Sequence, residues 1–142
     1  MLINYWHTIL NMPKEDWNWH KNDIEDELEE LKEAKSLIHY WSEVSDVVYT
    51  YTRAKWSGHK IKRPINLGLF SIGLIYMFPK YTLRWYFYRL IGKEFNKKLK
   101  INEVRNPKKS HKLKEISLRW NLDPELFEKR VKEKMKFWIF LE

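Results

Sequence analysis

A chain of 142 residues without cysteine is long enough to bury a core within one domain, and it excludes disulfides and thiolate metal sites. The formal charge of +8 is unevenly divided: residues 1–56 hold 6 Lys/Arg against 11 Asp/Glu, whereas residues 57–142 hold 21 against 8. An acidic front with a basic back suits a protein that binds metal with one part and polyphosphate with the other, and equally a solvated acidic helix joined to a basic nucleic-acid-binding tail. Eight Trp and eight Tyr supply rings for the core and for stacking on a base or at an oligomer interface. Residues 1–10 lack the basic start and long apolar run of a signal peptide. The most apolar run, Ile65 to Phe78, falls short of the roughly 20 residues that span a bilayer. A soluble, cytoplasmic protein with no membrane span is the expectation.

Residues 2–10 read as a short helix docked by Trp6, and Asn11-Met12-Pro13 breaks it. Pro13, Glu15 and Asp16 then mark a helix start, where negative charge is favoured. Trp17, His20, Ile24, Leu28, Leu31, Lys35 and Ile38 continue at helical spacing, which predicts one helix of about seven turns. Ser42 is the predicted N-cap of the next helix, which runs through Tyr51 to Trp56 and is ended by Ser57-Gly58. A basic linker, His59 to Pro64, leads to Ile65–Phe78 and, beyond Pro79, to Lys80–Phe95; the two read as a hairpin, with Gly68 and Gly73 weakening the first as a helix. Residues 96–112 hold seven Lys/Arg and one Glu. A short helix over Leu113–Trp120 follows. The last helix starts at Asp123 and Pro124 and carries Leu126, Phe127, Val131, Met135, Trp138 and Ile139. No strand pattern, internal repeat or low-complexity linker competes with this all-α reading.

The chemistry is concentrated in Asp23 to Asp46. Glu27 and Glu30 are three apart, Glu43 and Asp46 repeat that spacing, and on a helix i and i+3 share a face. Ile24, Leu28, Leu31 and Ile38 form an apolar stripe beside the first pair; Val44, Val47, Val48 and Tyr51 do so beside the second. Packing the stripes together makes the carboxylates converge. Such a group raises its own pKa values unless a cation sits within it, and oxygen-only ligands favour Mg²⁺ or Mn²⁺. Glu25, Glu29 and Glu33 read as solvent-facing. The five histidines show no metal-ligand spacing.

The run Asp26-Glu27-Leu28-Glu29-Glu30-Leu31-Lys32-Glu33-Ala34, followed by Glu43-Val44-Ser45-Asp46-Val47-Val48, resembles the MazG-like all-α nucleoside triphosphate pyrophosphohydrolases. Their signature is a Glu-Glu-x-x-Glu helix and then Glu-x-x-Asp; here Asp26 replaces the first Glu. Leu122-Asp123-Pro124-Glu125 and Lys134 look similar to a later turn and helix of that family, although 77 positions separate Asp46 from Asp123. The resemblance implies a single all-α domain over 1–142, a helical bundle with its core mainly in 14–56 and 113–140. An inserted or divergent helical segment then occupies about 57–110.

The activity so implied is cleavage of an NTP or dNTP to monophosphate and pyrophosphate. Glu27, Glu30, Glu43 and Asp46 would hold Mg²⁺, with Mn²⁺ as a substitute, and Glu30, or else Asp26, would act as general base. Candidates to hold phosphate are Arg53, Lys55, Lys134, and Arg84 or Lys80 from the insertion. Trp17, Trp19, His20 and Trp41 are placed to stack on a base or to pack in the core. The resemblance also implies a homodimer or larger homo-oligomer. The alternative is a non-catalytic protein that binds nucleic acid or a partner through basic residues such as Lys97 to Lys114.

Overall fold

The structure, a computed structural model, describes residues 2–137. Among these every regular element is helical: α1 (Leu2–Leu10), α2 (Trp17–Glu33), α3 (Leu37–Trp56), α4 (Leu67–Glu94), a short 3₁₀ turn (Ile101–Glu103), α5 (Ser110–Arg119) and α6 (Pro124–Met135). No helix among them is long and apolar enough to cross a membrane. The chain divides into two compact units, residues 1–79 and 80–142, and the boundary falls inside α4. Trp138 and Ile139, expected on the last helix, lie outside the described residues.

In the N-terminal unit Asp16 caps α2, its Oδ1 accepting from the Trp19 amide at 2.8 Å. The predicted seven-turn helix is shorter than expected. Ala34 is extended (φ −60°, ψ 121°), and Ser36, not Ser42, caps the next helix, its Oγ accepting from the His39 amide at 3.1 Å. Both serines carry the hydroxyl a cap requires; the seam decides between them, because Ser42 is buried inside α3. Ile38 therefore lies in the first turn of α3 and is 47% exposed instead of extending the α2 stripe. The connection Ala34–Ser36 is short enough to lay α2 and α3 antiparallel, and these two helices form the main packing pair of the unit. Val44, Val47, Val48, Tyr51 and Ala54 of α3 are buried, with Ile24 of α2 and Leu10 of α1.

Pro79 does not make a hairpin. It lies inside α4, which runs unbroken from Leu67 to Glu94. A helical proline removes one i→i−4 hydrogen bond and crowds the carbonyl one turn back. Here Pro79 is exposed and Ile75 is 74% exposed, so water can reach the carbonyl left without its donor. Gly73 has a packing reason: a Cβ there would meet Val48 Cγ2 at 2.7 Å and Val44 Cγ1 at 3.0 Å. Only a residue without a side chain lets the two backbones approach this closely.

The C-terminal unit has its own core, built from Phe87, Tyr88 and Ile91 of α4, Leu99, Leu113, Ile116 and Trp120, and Phe127 and Val131 of α6. Burying each large side chain of this kind contributes roughly 1.5–3 kcal/mol before entropy is counted. Asp123 caps α6 as predicted, accepting from the Leu126 amide at 2.7 Å, and Pro124 occupies the first turn.

Candidate metal centre

The antiparallel packing of α2 on α3 brings one carboxylate oxygen from each of Glu27, Glu30 and Glu43 within 4.8 Å of one another. Three carboxylates gathered this closely are residues that could hold one ion between them. Glu43 is buried, and its Oε1 lies 3.1 Å from Nε2 of His39, one turn earlier on α3. That imidazole, when protonated at Nε2, donates to the carboxylate and fixes its orientation.

Glu27 is the electrostatic centre of the group. Its carboxyl is pushed up to about 8, first by burial and then by the negative charges of Asp46, Glu30, Asp23 and Glu43. Its Oε2 is buried and has no hydrogen-bond partner among the described residues. A buried carboxylate oxygen without a donor is costly, and a cation bound there would remove both that cost and the mutual repulsion. The donor set is entirely oxygen, which suits a hard divalent ion over a soft one.

Asp46 belongs to the group through its field on Glu27. Asp23 does as well, and the sequence reading passed over it although Asp23, Glu27 and Glu30 recur at i, i+4 and i+7, one face of a helix. Asp26 is different. It is exposed, about 100° around α2 from Glu27, and is not brought into the cluster. Glu25, Glu29 and Glu33 face solvent, as expected.

The residues proposed to hold base and phosphate lie elsewhere. His20 is fully buried near the opposite end of the α2–α3 pair, with Nε2 3.0 Å from Ser57 Oγ. Burial, then the charges of Arg53 and His59, lower its pKa to about 4. Arg53 is buried too: its Nη2 donates to the Pro13 carbonyl at 3.1 Å, and its guanidinium stacks 4.4 Å from the Trp19 ring. These contacts tie the α1–α2 connection to α3. Trp17 is 43% exposed and leans on the His59 ring at 5.8 Å, while half-buried Trp41 packs edge-on against Tyr40. Lys55 is nine residues beyond Asp46, hence about 14 Å along α3 and half a turn around it. It points away from the carboxylates.

Lys80, Arg84 and Lys134 belong to the C-terminal unit. Lys80 and Arg84 are buried on α4, with the Arg84 guanidinium 5.5 Å from the Tyr81 ring. Lys134 pairs with Glu94 beside a hollow of about 510 Å³.

Comparison with family models, with curated proteins and with solved structures returned no match. Fold and site define a class: an all-α protein whose second and third helices bring together an acidic cluster of a kind that could hold a metal ion.

Proposed function

We propose that the cluster binds Mg²⁺, or Mn²⁺ in its place, and that the protein is a metal-dependent nucleotide pyrophosphohydrolase. The observation that carries the reading is the convergence of Glu27, Glu30 and Glu43 around a buried carboxylate oxygen without a donor. A surface acidic run has no need of such an arrangement, because water solvates it. The resemblance of residues 26–34 and 43–48 to the MazG-like signature points to the same chemistry.

Glu27, Glu30, Glu43 and Asp46 are the residues that would hold the ion, with Asp23 reinforcing the negative field. The bound ion would supply neutralisation of phosphate oxygens and a water of lowered pKa. Glu30 is the carboxylate assigned to accept the proton of the attacking water, since it lies in the cluster and Asp26 does not. Water oxygen bonds to the α-phosphorus as the bond from that phosphorus to the α–β bridging oxygen breaks. The pyrophosphate leaves with the bonding electron pair, and the nucleoside monophosphate keeps the new oxygen. His39 positions Glu43 and takes no part in bond making.

The test is incubation of the purified protein with a panel of NTPs and dNTPs and Mg²⁺. Release of a monophosphate and pyrophosphate from at least one of them, abolished in Glu27→Gln and Glu43→Gln, is the expected result. Absence of product from every member of the panel rejects the activity. The homo-oligomer implied by the same resemblance is tested by sedimentation of the purified chain.

A further inference from the structure

At the far end of α3 a different site is assembled. Ser57, Gly58 and His59 close the helix, their amides donating to the carbonyls of Arg53, Lys55 and Ala54 at 2.9, 3.0 and 3.1 Å. Those carbonyls are the negative pole of the helix, and satisfying them mutes its repulsion of an anion. Gly58 turns the chain at φ +102° with open space around it, and the basic segment that follows borders the end of α3.

The result is two hollows that share Lys55. One, of about 380 Å³, is bordered by Lys55, Arg63, Tyr51 and Phe70; the other, of about 510 Å³, by Lys55, Lys60 and Lys62. Among the described residues no carboxylate lines either one. Tyr51 and Phe70 meet edge-to-face at 5.6 Å. Lys55 stands 5.8 Å from the Tyr51 ring and Arg63 5.8 Å from that of Phe70. Lys55 and Arg63 thus stand beside the aromatic pair while Lys60 and Lys62 line the adjoining hollow, and cations set beside stacking rings are how proteins track a phosphate chain.

We propose that these hollows form a second site, independent of metal, that takes an extended phosphate chain. Its source is either a free polyphosphate group or the backbone of a nucleic-acid single strand. Lys55 and Arg63 grip successive phosphates, Lys60 and Lys62 extend the track, and the edges of Tyr51 and Phe70 bound it. The site is distinct from the carboxylate cluster because Lys55 projects from the opposite side of α3 to Asp46.

Fluorescence anisotropy on the full chain in EDTA, which silences the carboxylates, tests the assignment with two probes: a labelled oligothymidylate of roughly 12 nucleotides, and inorganic tripolyphosphate as competitor. Lys55→Ala/Arg63→Ala changes exposed or rim side chains only, and circular dichroism verifies that it folds. The expected result is binding that weakens with salt, an affinity loss of about 10-fold or more in this variant, and a salt slope shallower by about two phosphate contacts. Lys108→Ala/Lys109→Ala, in the basic stretch of the C-terminal unit, and Glu27→Gln should both bind as the parent does. Displacement of the strand by tripolyphosphate at comparable concentration assigns the site to free polyphosphate, and retention of the strand assigns it to the nucleic-acid backbone. No binding of either probe at low salt overturns the proposal, as does an equal loss in the Lys108/Lys109 variant. Either outcome leaves the hydrolase reading untouched.

Discussion

The two ends of the α2–α3 pair bury ionisable groups in opposite ways. At one end His7 meets Thr52 at 2.9 Å, His20 meets Ser57 at 3.0 Å, and Arg53 donates to the Pro13 carbonyl and pairs with Glu15 at 3.8 Å, so each buried side chain has at least one polar partner and the cation faces an opposite charge. Nδ1 of both histidines and Nε of Arg53 have no hydrogen-bond partner among the described residues. At the other end Glu27, Glu30 and Glu43 face one another, and a buried oxygen of Glu27 has no donor. A partnered buried polar group holds helices in place; like charges gathered without a cation call for a ligand. Similar sequence signals, polar residues at helical spacing, thus serve architecture at one end and form the proposed metal site at the other.

The largest test of this contrast is catalytic. Glu27→Gln and Glu43→Gln should each lower nucleotide hydrolysis by at least about 100-fold, because a missing ligand removes the charge that stabilises the transition state; steady-state release of pyrophosphate measures it. Both variants should stay folded. Arg53→Met at the other end should do the reverse. It leaves Mg²⁺ binding, followed by isothermal titration calorimetry, unchanged and costs about 2–4 kcal/mol of stability in urea unfolding, since a buried cation and its ties to Pro13 and Trp19 are lost.

The two ends should also respond to pH with opposite sign. The folded chain holds the Glu27 proton up to about 8 instead of the ordinary 4.5. Between those values the unfolded chain binds fewer protons, and stability without metal falls as pH rises through that window. His7 and His20, lowered from 6.5 to about 4 chiefly by burial, stay neutral when folded while the unfolded chain takes up protons. Their contribution is fully present above 6.5 and is lost as pH falls toward 4. Urea unfolding in EDTA across this range should show a maximum, with a slope of about 1 kcal/mol per pH unit or less on each side. Glu27→Gln should flatten the alkaline limb and steepen the acid limb, because its window of 4.5 to about 8 spans both, whereas His20→Gln should flatten the acid limb alone.

The smallest effect separates neighbouring acids. Asp23→Asn should weaken Mg²⁺ binding by about 2–10-fold through the lost field on Glu27. Asp26→Asn, exposed on the outer face of α2, should change binding and hydrolysis by less than about 2-fold. A hydrolysis defect in Asp26→Asn as large as that in Glu30→Gln would move the general base to Asp26.

Much of this was legible along the chain. The all-α class followed from apolar spacing, the start of α6 from Asp123-Pro124, and the carboxylate pairs from Glu27/Glu30 and Glu43/Asp46; the start of α2, expected at Pro13 with Asp16 in the first turn, falls instead at Trp17, with Asp16 as its cap. Local rules settle such features, since a cap or an i, i+3 pair depends on a few adjacent residues. The break at Ala34–Ser36 and the continuation of α4 through Pro79 were not legible. In each case two local outcomes were open, and burial of Ser42 and exposure of Pro79 chose between them.

The same division runs through the site. Residue types and spacing alone determined that two successive helices each carry a carboxylate pair on one face. Tertiary structure decided which of them meet: Asp23 joins through its field on Glu27 and Asp26 turns outward, since a shift of one residue turns a helix by about 100°. It also decided that Arg53 and His20 serve packing and that Lys55 joins Arg63 at a separate hollow. A long cation's role depends on what lies within reach of its tip, and reach is set by the packed helices.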